Sequence, residues 1–305
     1  MTWISAALLV AAMLGVVNIV DSHLISKRMP SLWAFLILAG VAHFVFGLIV
    51  LGTHPLPDGV PAFAWFVAVL SAIARTVAVL LMLHAMRTEE VSRIIPVAHT
   101  NPVFVAILAV PFLGESLSVL QWLAIFMTVA GAVLISARGG GGGHGVRLRR
   151  SFILLVASSM LFGVANTGSK YALDDISFWN MYAVNALCFG LVFVLVSARP
   201  RVLAELREMN ARRTVLTLIA FNEVIALVGI LLSFWAIERG PVSLVSTLLG
   251  SRPLFVFIMA MALSRIYPAV LDERMSRGIV SLKIVSIGLM LGGVAIINLV
   301  GDQGG

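Results

Sequence analysis

Apolar runs long enough to cross a bilayer as helix recur along the whole of this 305-residue chain, and they leave it few other ways to fold. About 20 apolar residues span the hydrocarbon core as an α-helix. Ten such runs are read, at roughly 2–22, 31–53, 62–86, 91–112, 118–137, 151–172, 177–198, 214–237, 241–263 and 281–300. They are too long, and too poor in polar alternation, to be barrel strands. Hydrophobic residues make up 60% of the chain and charged residues 11%, against about 25% charged in a soluble domain. The expected fold is an all-α polytopic membrane protein with a lipid bilayer around it. The first run follows Met1-Thr-Trp-Ile-Ser, which has no basic residue, and it exceeds the length of a signal segment, so it reads as a retained helix.

The net charge of +7 is not a nucleic-acid footprint, because its distribution follows the loops. Lys27 and Arg28, then Arg87 and Arg93, then Arg138, Arg147, Arg149 and Arg150 occupy alternate loops. Arg199, Arg201, Arg207, Arg212 and Arg213, then Arg265, Arg274, Arg277 and Lys283, continue the pattern. That places seventeen basic residues on one side against two, Lys170 and Arg239, on the other. The positive-inside rule then puts the odd-to-even loops in the cytoplasm and both termini outside, in a multi-pass protein of the inner membrane. The sole cysteine, Cys188, lies within a span, so neither an internal disulfide nor a Cys/His zinc site is expected.

Two segments half a chain apart superpose without a gap. Ala85, Val91, Ser92, Pro102, Phe104 and Val105 recur as Ala236, Val242, Ser243, Pro253, Phe255 and Val256. A fixed-offset match marks an internal repeat. Between the copies, residues 138–150 form a Gly/Arg-rich linker that separates five runs (1–137) from five (151–305). Gly15-Val-Val-Asn18 likewise aligns with Gly163-Val-Ala-Asn166. An odd number of spans per copy makes the copies opposite in orientation, an inverted-topology repeat of the kind found in secondary transporters.

Phe112-Leu-Gly114-Glu115-Ser-Leu-Ser-Val-Leu-Gln-Trp, continuing through Gly131, resembles the closing motif of the EamA-type repeat of the drug/metabolite transporter superfamily. Asn101-Pro102 and Arg252-Pro253 resemble the part of the motif before it, and Asn18–Arg28 resembles the first-helix end of some members. The second copy departs from the pattern at Tyr267–Arg274, where Gly114-Glu115 has no clean counterpart and the loop is longer. The resemblance implies ten helices in two repeats and transport of a small metabolite, such as an amino acid or related organic solute.

Charges inside spans are costly and face a cavity or a partner. Arg75, Asn222, Glu223 and Arg252 stand out by depth. Glu223 aligns with Ala72, one turn from Arg75, so Arg75 and Glu223 occupy nearly equivalent faces of related helices. They either pair, as a structural lock or across a cavity, or take opposite ends of a zwitterionic substrate. Arg252 precedes Pro253 in mid-span, and its mate Asn101 precedes Pro102, with His99 beside it. Proline frees a carbonyl there. A guanidinium at such a break suits a carboxylate or phosphate, or else the site is a packing kink. Asn18 and Asn166 either line the cavity or hold helices together. Asp21 and Lys170, near span ends, read as a gate or proton carrier, or as solvated helix ends. His43, His84 and His99 read mainly as packing residues, with proton transfer the alternative. Trp179 and Tyr182 suit interfacial anchoring, whereas Asn180 and Asn185 suit a cavity wall. Glu115 reads as a helix-start cap.

No phosphate-binding Gly-x-x-x-x-Gly-Lys loop, hydrolase triad or two-His-plus-Glu metal motif is present, so neither an enzyme nor a resident cofactor or metal is expected. The leading expectation is a monomeric secondary transporter for a small solute with an anionic group. It works by alternating access, with spans 1, 3, 4, 6, 8 and 9 around the cavity and spans 5 and 10 peripheral. A flippase for a lipid-linked or phosphorylated substrate and a non-transport membrane scaffold are the alternatives. The topology is checked with a single cysteine at Gly141 on a Cys188→Ser background. A membrane-impermeant maleimide should label it only after permeabilisation, and labelling of intact cells overturns the orientation.

Overall fold

The computed structural model describes residues 1–88, 100–136, 145–209, 212–266 and 277–300. Every element among them is helical: α1 (Trp3–His23), a π-helical turn (Leu24–Arg28), α2 (Leu32–Thr53), α3 (Ala62–Thr88), α4 (Asn101–Leu113), α5 (Val119–Ser136) and α6 (Gly145–Ala172). They continue as α7 (Phe178–Ser197), α8 (Pro200–Arg207), α9 (Arg212–Arg239), α10 (Val242–Leu249), α11 (Arg252–Ile266) and α12 (Arg277–Val300). By length and apolarity alone, Trp3–Arg28, Leu32–Thr53, Ala62–Ala85, Phe178–Ser197, Arg212–Arg239 and Val242–Met259 suffice to cross a membrane. Asn101–Leu113, Val119–Leu134 and Ile284–Val300 are shorter apolar helices. The exposed faces carry large apolar side chains, among them Phe46, Ile49, Phe66, Phe112, Leu195 and Phe221. Such a surface belongs in lipid.

Local sequence explains the helix ends. Ser31 accepts from Ala34 N at 3.2 Å, and Ser177 accepts from Asn180 N at 3.3 Å. Ser118 and Gln121 exchange backbone and side-chain bonds at 2.8 and 3.3 Å, a capping box ahead of α5. α4 stops at Gly114, whose φ of 68° is the left-handed conformation that glycine adopts without steric cost. The expected span 241–263 is interrupted. α10 ends at Leu249 and α11 restarts at Arg252, so Pro253 falls in the first turn of a new helix, where its missing N–H costs nothing. Pro102 has the same position in α4. Two features differ from the sequence reading. Residues 200–207, taken as loop, form α8, whose Val202 is buried and whose Glu205 accepts from Ser31 Oγ at 2.6 Å. α6 starts at Gly145, within the stretch read as linker; residues 137–144 lie outside the described residues.

α6 is the most polar of the long helices, with Ser158, Ser159, Asn166, Thr167 and Ser169 all buried. It packs on α3 and α4, and more lightly on α9 and α10, in the interior, where these groups find partners, rather than on lipid. The principal packing pairs are α2 with α7, α3 with α6, α5 with α12, and α1 with α9; α4 also packs on α6 and α1 on α11. Exchanging α1 with α6, α2 with α7, α3 with α9, α4 with α10–α11 and α5 with α12 leaves this pattern unchanged. The recurring residues take matching positions in it. Gly163 lies against Phe104, and Gly15 lies against Phe255 and Val256. α5 and α12 pack on each other, and none of their described residues lines the cavity, in line with the peripheral place expected of them.

α2 and α7 approach most closely at Gly40 and Gly190. A Cβ on Gly190 would fall 2.6 Å from the Gly40 carbonyl oxygen, a contact that only a backbone shift relieves. Gly190→Leu should therefore destabilise the protein by about 1–3 kcal/mol through overpacking. Gly52→Ala, with no atom within 4 Å of its new Cβ, should have little effect. Thermal unfolding in detergent compares them, and equal midpoints would refute the close-contact assignment.

Candidate functional site

The helices enclose a cavity of about 170 Å³ whose wall brings together Asp21 (α1), His43 (α2), Arg75 (α3), Asn101 (α4), Asn166 (α6), Asn185 (α7), Glu223 and Ser233 (α9) and Arg252 (α11). Leu14, Phe35, Val79, Met82, Phe162, Phe189 and Ile230 supply apolar surface between them. A few convergent polar groups in an apolar cavity are the usual make-up of a small-molecule site. The expected helices therefore do contribute; α7 lines it too, through Asn185 among others, and so does α2, which was not among the expected spans.

Arg75 is held. Its Nη2 donates to Asn166 Oδ1 at 2.9 Å and to Ser169 Oγ at 3.4 Å, and its guanidinium lies 5.0 Å from the centroid of Phe234. Asn166 in turn donates to Ser246 Oγ at 3.2 Å, which links α3, α6 and α10. Arg252 differs. It lines the same cavity at the helix break, its buried Nε has no protein partner, and no hydrogen bond or ion pair to it occurs among the described residues. Burying a donor without an acceptor is costly, and Nε of Arg252 carries that cost in the structure. Nε of Arg75 and Oδ1 of Asn101 and Asn185 are also buried without a partner.

The acidic groups gather on another part of the wall. Asp21 Oδ1 accepts from Asn222 Nδ2 at 2.7 Å. Glu223, the next residue, is 5% exposed, and its Oε2 lies 3.2 Å from Nδ1 of His43. The same Nδ1 is 3.0 Å from the Ala39 carbonyl, which is the better-directed acceptor for a single N–H; Glu223 Oε2 is left without a hydrogen-bond partner. The direct Arg75–Glu223 pairing considered from sequence does not occur. Arg75 is engaged by α6 and Glu223 faces α2, because symmetry-related faces need not meet at contact distance.

The other expected residues divide. Asn222 is buried beside Glu223 and reaches Asp21. Asn18 is buried but contributes nothing to the cavity wall, unlike its mate Asn166. His99 lies outside the described residues. Lys170 is neither at the cavity nor a solvated end; its Nζ donates to the carbonyls of Ile237 and Glu238 at 2.9 and 3.0 Å, capping the C-terminus of α9. His84 is exposed. Trp179 stacks on His54 at 4.3 Å, and Asn180 donates to the carbonyls of His54 and Pro55, so these two anchor a loop and only Asn185 reaches the cavity. Glu115 is a cap, but not of the helix that follows it. Its carboxylate accepts from Val242 N at 2.5 Å and Ser243 N at 3.3 Å, the first turn of α10 in the other half.

These last contacts lie at one end of the bundle. There Glu238 also accepts from Phe178 N at 3.1 Å and pairs with Arg239, whose guanidinium lies over Trp235 and Phe178. The cavity residues run from the helix midpoints toward the opposite end, where the basic loops are.

Comparison with known proteins agrees with the sequence motifs. The model of the EamA-like transporter family matches residues 1–137. An uncharacterized transporter in the cobO 3' region of a Sinorhizobium species is 32% identical over 80 residues, 26% of this chain. That match spans 57% of the Sinorhizobium protein, somewhat over half its length. A solved crystal structure, titled only as that of a protein, superposes over 99% of this chain and 96% of its own with a TM-score of 0.69. At 16% identity that likeness establishes the shared fold.

The cross-half cap is testable. Glu115→Ala removes both acceptors from two backbone N–H groups and should cost about 0.5–2 kcal/mol, read as a lowered unfolding midpoint. Glu115→Gln, which keeps an acceptor oxygen, should lie between the two. An unchanged midpoint for Glu115→Ala would show that the contact holds nothing together.

Proposed function

We propose that this protein is a secondary transporter that moves a small organic solute bearing an anionic group across the cytoplasmic membrane. The observation that carries the reading is Arg252: at a helix break, with its buried Nε unpartnered, in a cavity between two halves of related sequence. Discontinuous helices with polar groups at the break are the usual solute sites of such proteins. A carboxylate or phosphate fits the five-donor fork of arginine with two parallel bonds. Arg75, already oriented by Asn166 and Phe234, supplies the second positive group, and Asn101 and Asn185 supply acceptors for the rest of the solute.

Alternating access follows from two inverted five-helix repeats rocking about that site. The packing pattern supports it, since exchange of the halves preserves the principal helix pairs. So do the paired Gly163–Phe104 and Gly15–Phe255 contacts. With basic loops on the cytoplasmic side, the conformation described is open inward. The contacts of Glu115, Lys170, Glu238 and Arg239 then form the closed outer gate. The relative from Sinorhizobium named as a transporter is consistent with this reading.

Reconstituted protein tested with a panel of amino acids, other carboxylates and phosphorylated metabolites should give uptake or efflux of at least one anionic solute. Arg252→Gln should lower the affinity for that solute about 10- to 100-fold, the worth of a charge-assisted bidentate contact, with Arg252→Lys intermediate. Unchanged flux in Arg252→Gln would remove the binding role.

A further inference from the structure

The cavity contains a second cluster that solute binding at Arg252 leaves unused. We propose that Asp21, Glu223 and His43 form a proton site that takes up one proton for each monoanion bound at the arginines, so that flux is proton-coupled. This rests on the transport reading above and deepens it.

The inference starts from charge. Two guanidiniums, Arg75 and Arg252, and two carboxylates, Asp21 and Glu223, line one cavity within an apolar bundle, so the empty cavity is balanced when His43 is neutral. A monoanion docked on Arg252 leaves it one negative charge in excess. An uncompensated charge in a low-dielectric interior is strongly disfavoured. The geometry provides a place for a compensating proton. Asp21 and Glu223 are tied through the adjacent residue Asn222, and Glu223 Oε2 is buried, lacks a hydrogen-bond partner and lies 3.2 Å from His43 Nδ1. His43 Nε2 is likewise buried and unpartnered. A proton placed on Glu223 or on the imidazole turns that idle contact into a hydrogen bond or ion pair.

Among the described residues, the groups around the cluster offer no other neutralisation. α1 contributes Asp21, α2 His43, α3 Arg75 and α11 Arg252. α7 contributes Tyr182, buried and near Glu223. Lys170 of α6 is committed to carbonyls at the far end, and Lys27 and Arg28 of the π-helical turn are exposed. The π-helical turn begins three residues after Asp21, where a widened helix marks many functional sites. In the balance of the step, a proton leaves solvent and forms an O–H or N–H bond in the cluster as the anion enters; both leave together on the other side. By linkage, the anion raises the proton affinity by the same factor as the proton raises the anion affinity.

The test uses the whole protein in lipid nanodiscs, with infrared difference spectroscopy and [14C]benzoate as a monoanion probe. Without benzoate, lowering the pH from about 8 to about 5, across the ordinary histidine range, should produce a protonated-carboxyl or imidazolium band. Asp21→Asn and Glu223→Gln should diminish it, with folding verified by an unchanged far-ultraviolet dichroism spectrum. Benzoate should evoke the same band at higher pH, and its affinity should rise by up to about tenfold per pH unit lowered, the slope of one linked proton. Arg252→Gln should abolish the benzoate-evoked band and spare the acid-evoked one. Absence of the acid-evoked band overturns the proton site. Benzoate binding that is independent of pH, or that follows sodium instead, overturns the coupling. Failure of benzoate to bind while the acid-evoked band remains counts against the anion reading of the arginines and leaves the proton site standing.

Discussion

Lipid offers no hydrogen bonds, and the arrangement of this protein follows from that constraint. Every polar group within the spans must find a partner inside the bundle or face a cavity. Ser71, Thr76, Thr128, Ser169 and Thr247 bond back to carbonyls four residues earlier in their own helices. The break at Gly250–Ser251 is bridged by turn bonds from Gly250 N to Ser246 O and from Ser251 N to Leu248 O. The free N–H groups of α10 are met by Glu115, and the free carbonyls of α9 by Lys170. Most of the buried polar atoms left unpaired among the described residues lie on the cavity wall, Nε of Arg252 and of Arg75 and Oε2 of Glu223 among them.

The helices were largely legible from sequence, because a crossing needs a long apolar run and the chain has few charges to obscure it. The break before Pro253 was legible too, since proline cannot continue a helix without losing a bond. Arg75, Arg252, Glu223 and Asn166 were visible as charges and amides too deep for lipid. What sequence did not disclose was rotation. α2 is apolar all round, so nothing in its pattern says which face is buried, and nothing in it places His43 opposite Glu223. Asp21 met Asn222 from 201 residues away, and Glu115 capped a helix 127 residues later. Neither partner has a local signature. α8 was missed because Pro200 starts an eight-residue helix in a stretch dominated by arginines.

The two matching segments differ at several positions on the cavity wall and agree at others where helices touch. Gly15 and Gly163, Phe104 and Phe255 are equivalent packing contacts. Arg252 replaces an asparagine, Glu223 an alanine, and Arg75 faces the cavity where its counterpart Ala226 leaves space. A pseudo-symmetric scaffold with asymmetric lining lets one wall hold cations and another hold carboxylates, which identical halves could not do.

The meeting of Gly40 with Gly190 places nearly equivalent positions of the two copies face to face. Contacts of that kind are isologous: each patch is its own complement, as in a two-fold homodimer. A side chain added to one copy therefore collides with the other copy's version of the same spot. The two halves cannot drift independently along this seam, whatever freedom they have at the cavity, and a matched small residue on both sides is the condition for either to vary.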